Sequence, residues 1–120
     1  MKIVVTASGR TLADAMDTRF GRARYFLLVD SDTGTVAAHD NAQNLNAVQG
    51  AGIQAAEAVA RLGAEAVVTG NVGPKAFRTL AAAGVKVYLV AGGTAAEAVE
   101  KLKRGELKEC AKPNVEGHWA

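Results

Sequence analysis

Cysteine is almost missing from this 120-residue chain, where Cys110 stands alone. That excludes an internal disulfide, a CxxC redox pair and any metal or iron–sulfur site built only on cysteines. Aromatic residues make up 5% of the chain, so the core has to come from Val, Leu, Ile and Ala. Excess charge is small, a formal +2 at neutral pH, whereas nucleic-acid binding calls for a strongly basic face. No apolar run approaches the roughly 18 residues of a membrane span. The opening "MKIVVTASGR" is basic only at Lys2 and Arg10 and holds few apolar residues. It is expected to be a strand and not a signal peptide, with the protein in the cytoplasm. HExxH and Ser–His–Asp signatures are absent, and the first strand lacks a carboxylate for two-metal hydrolysis. No enzymatic activity is expected.

What is present suits one domain over residues 1–120, with enough chain to bury a core unaided. "KIVVTA" is a β-branched run stopped by Ser8-Gly9 and reads as a buried strand. Residues 8–24 lack a period and are read as a long loop with one helical turn near residues 12–16. "YFLLVD" and "TVAAHD" flank "SDTG", the pattern of a β-hairpin. Residues 41–52 are Asn- and Gly-rich and read as a second loop. Ile53, Ala56, Val59 and Ala60 then recur at helical spacing, closed by Gly63. "AEAVVTG" is a strand. Gly73-Pro74 opens a helix, since proline at the first helical position loses only an unpartnered N–H. Phe77, Leu80 and Ala81 form that helix's apolar face, ended by Gly84. "VKVYLV" is the last strand. Thr94 with Glu97 makes a capping box, and Glu97–Lys101 and Glu100–Arg104 are favourable i,i+4 pairs for a helix over 94–103. The tail from residue 108 has no period.

The order β, β, β, α, β, α, β, α predicts an α/β fold. Right-handed crossovers and short connections favour a five-stranded mixed sheet in the order 3-2-1-4-5 with one strand antiparallel. In such sheets ligands bind beyond the carboxyl ends of the strands, where the winding direction reverses. Here that point lies between the first and fourth strands. The loop after the first strand brings Arg10, Arg19 and Arg22 there, and guanidiniums present planar, multi-donor forks to anions. The turn "TGNVGPKAF" brings glycines, a helix N-terminus and Lys75, which suits an anion. Each segment also has a plain structural reading: a solvated basic loop, and an ordinary helix start with one exposed lysine. Phe20 either caps the crevice against water or plugs the core. His39 reads as a half-exposed strand residue. His118 lies beside the only tryptophan in the tail, and Asp30, Asp32 and Asp40 serve turns and strand ends.

"DTRFGRARYFLLVD", "GAGIQAA", "VVTGNVGPKAF" and "PNVEGHW" resemble the dinitrogenase iron–molybdenum cofactor biosynthesis family. It includes NifX, NafY and the carboxy-terminal domain of NifB, with the orange proteins among its stand-alone members. The resemblance runs over essentially the whole chain. It implies a ribonuclease-H-like fold and non-covalent binding, carriage or storage of an anionic molybdenum-containing sulfide cluster, with copper or iron as the second metal. The matching positions are Arg19, Phe20, Gly21 and Arg22, and Gly70, Asn71, Gly73 and Lys75, with Arg10 nearby. No histidine or cysteine falls in these loops, so retention by charge and hydrogen bonds is implied. Donor or acceptor proteins for the cluster are the implied partners, with neither nucleic acid nor membrane, and a monomer is expected. Two other readings stay open: a regulatory or scaffold domain that binds a small anion or acidic segment without metal, and a phosphate-substrate enzyme.

Overall fold

The computed structural model describes residues 1–41 and 51–113. Its elements are β1 (Lys2–Ala7), β2 (Tyr25–Asp30), β3 (Val36–Asp40), α1 (Ala51–Arg61), β4 (Ala66–Thr69), α2 (Pro74–Ala82), β5 (Lys86–Leu89) and α3 (Ala95–Lys103). The strands form one five-stranded sheet in the order β3-β2-β1-β4-β5. Strand β2 runs antiparallel to both neighbours, while β1, β4 and β5 are mutually parallel. The expected α/β topology is therefore the observed one.

Alternation along β1 explains the layering. Its side chains point alternately to the two faces of the sheet, and both faces are covered, as a central parallel strand requires. Val4 joins Phe26, Val67 and Val87 beneath α1 and α2, with Ala55, Val59, Ala76 and Leu80 packing against them. Ile3, Val5 and Ala7 join Leu27 and Val68 beneath α3, against Ala95, Ala98 and Val99. Residues 3 to 7 of β1 are all buried.

Local signals account for the turns and caps. The Asp30 carboxylate accepts the N–H groups of Asp32 and Thr33 at 2.9 and 3.3 Å. Gly34 takes a φ of 77° and donates to the Asp30 carbonyl at 2.8 Å. At α3 the capping box closes in both directions: Glu97 N–H donates to Thr94 Oγ1 at 3.1 Å, and Thr94 N–H donates to Glu97 Oε1 at 2.8 Å. Gly73 is the N-cap of α2, with proline inside its first turn.

Several details differ from the sequence reading. The turn expected near residues 12–16 is a single one over Thr11–Asp14, closed by Asp14 N–H to the Thr11 carbonyl, while Ala15 and Met16 form bridges to Thr94 and Ala7. The Asp14 carboxylate takes the Thr11 N–H and hydroxyl, so the turn closes on itself. Helix α1 already includes Ala51 and Gly52. On α2, Ala81 is exposed and Ala76 takes the core position beside Leu80. The Glu97 carboxylate is held on the cap, and Lys101 favours its charge without forming a short ion pair. Glu100 pairs with Lys103 at 3.8 Å, and Arg104 pairs with Glu106 at 3.7 Å. The start of the tail is ordered along the sheet edge: Glu109 bridges to Tyr88, and Cys110 N–H donates to the Val87 carbonyl at 2.7 Å. Residues 42–50 and 114–120, with His118 and the tryptophan, lie outside the described residues.

Candidate functional site

Strand β1 ends at Ala7 directly opposite Tyr25, the first residue of β2. β4 ends beside them at Thr69, and the turn to α2 starts there. The carboxyl ends of β1 and β4 thus meet the start of β2 at one edge, and residues 8–24 have to cross it.

That crossing is sewn down along its length. Ser8 N–H donates to the Ala15 carbonyl at 2.9 Å, Met16 N–H to Gly93 at 2.9 Å, and Asp17 N–H to Thr6 at 3.0 Å. The buried Thr6 hydroxyl bonds the Asp17 carbonyl at 2.6 Å and the Thr69 hydroxyl at 2.8 Å. Next, Arg19 forms a parallel bridge with Asn71. Phe20 N–H donates to the Asn71 carbonyl at 3.2 Å, and Asn71 Nδ2 donates to the Thr18 carbonyl at 3.2 Å. Finally, the fully buried Asn41 donates through Nδ2 to the carbonyls of Gly21 at 3.3 Å and Ala23 at 2.8 Å. A loop without secondary structure of its own has to satisfy its polar groups this way.

Phe20 holds the loop from below. It is fully buried and stacks on Phe26 with ring centroids 6.0 Å apart. Of the two readings open for it, the core plug is the observed one, and it does not line a crevice.

Above the loop lies an open groove of about 580 Å³, lined by Ser8, Gly9, Arg10, Asp17, Arg19, Arg24 and Tyr25. The Tyr25 ring organises its wall. The Arg10 guanidinium lies 4.9 Å and the Arg24 guanidinium 5.6 Å from the ring centroid, within cation–π range. Arg19 is anchored by Asp17, with Nε to Oδ1 and Nη2 to Oδ2 both at 3.3 Å. Arg19 stays half exposed while the Asp17 side chain is only 11% exposed. Among the described residues three guanidiniums thus face the groove with a single carboxylate. Such a place attracts anions although the chain as a whole is nearly neutral.

The two segments named from the sequence do meet, at Arg19 and Asn71, but not as two walls of a cleft. Gly70 and Asn71 support the loop from beneath. Gly70 was expected to let a ligand approach, and what approaches it is Thr18: a Cβ added there would come within 2.5 Å of Thr18 Cβ. Gly21 and Gly73 are buried, Arg22 is half-buried, and Lys75 is exposed in the first turn of α2. None of these lines the groove. Ser8, Gly9, Asp17, Arg24 and Tyr25 line it and were not in the expected set. The available signal was the adjacency of β1 and β2 in the expected strand order, since their antiparallel pairing sets Tyr25 opposite Ala7 and so beside residues 8–10. His39 is half-buried on β3, as expected. Among the described residues no three His, Cys, Asp or Glu side chains gather to hold a metal ion, and no helix is long and apolar enough to cross a membrane.

Comparison with known proteins gives consistent findings. The dinitrogenase iron-molybdenum cofactor family matches residues 1–105. The apo form of the orange protein from Desulfovibrio gigas superposes with a TM-score of 0.93 at 43% identity, covering 95% of this chain and 96% of that one. A candidate NifB protein from Thermotoga gives a TM-score of 0.83 at 34% identity, over 97% and 98% of the two chains. A candidate dinitrogenase from Methanocaldococcus jannaschii, at 16% identity and a TM-score of 0.68 over 94% and 97%, shares the fold alone.

Proposed function

This chain belongs to the dinitrogenase iron-molybdenum cofactor family, and from that premise we propose that it binds and carries, or stores, an anionic molybdenum-containing sulfide cluster without covalent attachment. The cluster is cargo, with copper or iron as its second metal, passed between proteins of cofactor biosynthesis. Carriage asks no bond-making chemistry of the protein.

The observation that supports this most is the set Arg10, Arg19 and Arg24 around one groove with the carboxylate of Asp17. Sulfide is a weak hydrogen-bond acceptor, so retention needs several converging donors. Guanidiniums supply them in planar arrays that stay charged at any working pH. Among the described residues the lining holds no thiolate or imidazole, so the donor set suits a preformed anionic cluster better than a bare cation. Exposed charge pairs are screened by salt, so binding should weaken steeply as ionic strength rises.

The test is titration with tetrathiomolybdate, with and without copper, followed by visible charge-transfer bands. Arg10→Ala/Arg24→Ala is expected to lose most of the binding and Lys75→Ala to keep it. Full binding by an Arg10→Ala/Arg19→Ala/Arg24→Ala variant would remove the groove from the reading. If the groove instead took an acidic peptide and no thiomolybdate, the metal-free scaffold reading would stand in its place.

A further inference from the structure

Asp17 is placed in the groove in a way that charge alone does not require. Its backbone is pinned to β1 from both sides, its N–H donating to the Thr6 carbonyl at 3.0 Å and its carbonyl accepting the Thr6 hydroxyl at 2.6 Å. Its carboxylate accepts three bonds from one residue: the Arg19 backbone N–H at 3.0 Å, and Nε and Nη2 at 3.3 Å each. A fixed, nearly buried carboxylate thus grips a half-exposed guanidinium by one edge. A guanidinium has five N–H donors, and this grip occupies two, so three remain for a ligand. At the same time the carboxylate stands inside an anion-binding groove, where it repels what the arginines attract.

We propose that Asp17 is the positioning residue of the groove: it holds the Arg19 guanidinium in a binding-ready orientation, and its own charge keeps anion binding reversible. This rests on the groove being the anion site. The two effects oppose each other. Fixing a long side chain beforehand strengthens binding, because immobilising a rotamer-rich side chain during association costs about two- to tenfold in affinity. A negative charge near the ligand weakens it, on the order of tenfold for a dianion about 6 Å away across water. A protein that hands its cargo on needs ordered donors together with a finite residence time, and one carboxylate supplies both.

The substitutions Asp17→Asn and Asp17→Ala separate the two effects. An amide oxygen still accepts from the Arg19 backbone N–H and Nε, so Asp17→Asn removes charge and keeps much of the orientation, whereas Asp17→Ala removes both. With tetrathiomolybdate as probe, Asp17→Asn is expected to bind about tenfold tighter than the wild type and to dissociate correspondingly more slowly. Asp17→Ala should bind about two- to tenfold less tightly than Asp17→Asn. In an Arg19→Ala background the two should bind alike, which a merely structural role for Asp17 would not produce. If Asp17→Ala fails to fold, Arg19→Lys asks the same question. A lysine is a point charge that cannot be held by two parallel contacts, and should bind about two- to tenfold weaker with an unchanged salt slope.

Equal affinities for Asp17→Asn and Asp17→Ala with Arg19 present would overturn positioning. No tightening in Asp17→Asn would overturn the role of its charge. Undiminished binding by Arg10→Ala and Arg24→Ala, or none by the wild type, would instead overturn the groove as the anion site.

Discussion

Gly70 sits so close beneath Thr18 that a Cβ on it would lie 2.8 Å from the Thr18 Cα and 2.5 Å from its Cβ. The glycine at the end of β4 therefore decides how low the arginine loop can settle. With no Cβ there, the backbone of residue 18 comes close enough for Phe20 N–H to reach the Asn71 carbonyl. Arg19 then emerges at the rim of the groove.

Replacing Gly70 by alanine should lift this segment. The clash is with backbone and cannot be relieved by a side-chain rotation. Overpacking of this kind costs about 1–3 kcal/mol, readable in urea unfolding. Anion binding should fall further than that loss of stability explains, because Arg19 moves with the loop. Unchanged binding in a measurably destabilised Gly70→Ala protein would show that the height of the loop does not matter.

Phe20→Ala should destabilise by about 3–5 kcal/mol, the usual range for removing a fully buried aromatic ring. The stack on Phe26 is lost at the same time. Chemical denaturation measures the effect. A loss below about 1 kcal/mol would mean that the ring is not the anchor its burial indicates.

Tyr25→Phe should leave anion binding unchanged, and Tyr25→Leu should weaken it several-fold. Phenylalanine keeps the ring face for the Arg10 and Arg24 guanidiniums, while leucine leaves them without it. Each exposed cation–π contact contributes about 0.5–1 kcal/mol. Titration of both variants at two salt concentrations checks this, the salt slope being the same in each because no charge is removed.

Acid should weaken α3 through its cap. The Glu97 carboxyl is held below its ordinary range chiefly by the Thr94 N–H, then by the Thr94 side chain, with Lys101 adding a smaller charge effect. A depressed carboxyl stabilises the fold above its ordinary pKa of 4.5, and that contribution is lost as pH falls through the lower folded value. Glu97→Gln should therefore be less stable than the wild type at pH 7 and match it more closely at about pH 3. Thr94→Ala, which removes the other half of the box, should cost roughly 1 kcal/mol. The amino terminus works in the opposite sense. Its bond to Asp32 raises its pKa above 8.0, so its contribution is complete below that value and fades as pH rises through the folded one.

Much of the chain could be read locally, and the reason is physical. β-branched runs, the Gly73-Pro74 start, the Thr94–Glu97 box and the turn glycines each act within a few residues of chain, and their effects are visible without knowing the neighbours. Strand order followed from the handedness of crossovers and the shortness of connections. Even the meeting of the arginine loop with the turn after β4 was legible, because both leave adjacent strands at their carboxyl ends.

Which way each side chain faces depended on partners far away in sequence. Phe20 and Arg19 are neighbours, yet one is fully buried and the other half exposed, because the bridge to Asn71 sets the rotation of the loop. The positive charge of Arg10, Arg19 and Arg24 was present in the sequence. The placing of Arg10 and Arg24 on the Tyr25 ring, the grip of Asp17 on Arg19 and the absence of Lys75 from the groove came only with folding. Composition and periodicity determine which elements form and in what order. Packing against residues tens of positions away, such as Gly70 beneath Thr18, decides which of their side chains can reach a ligand.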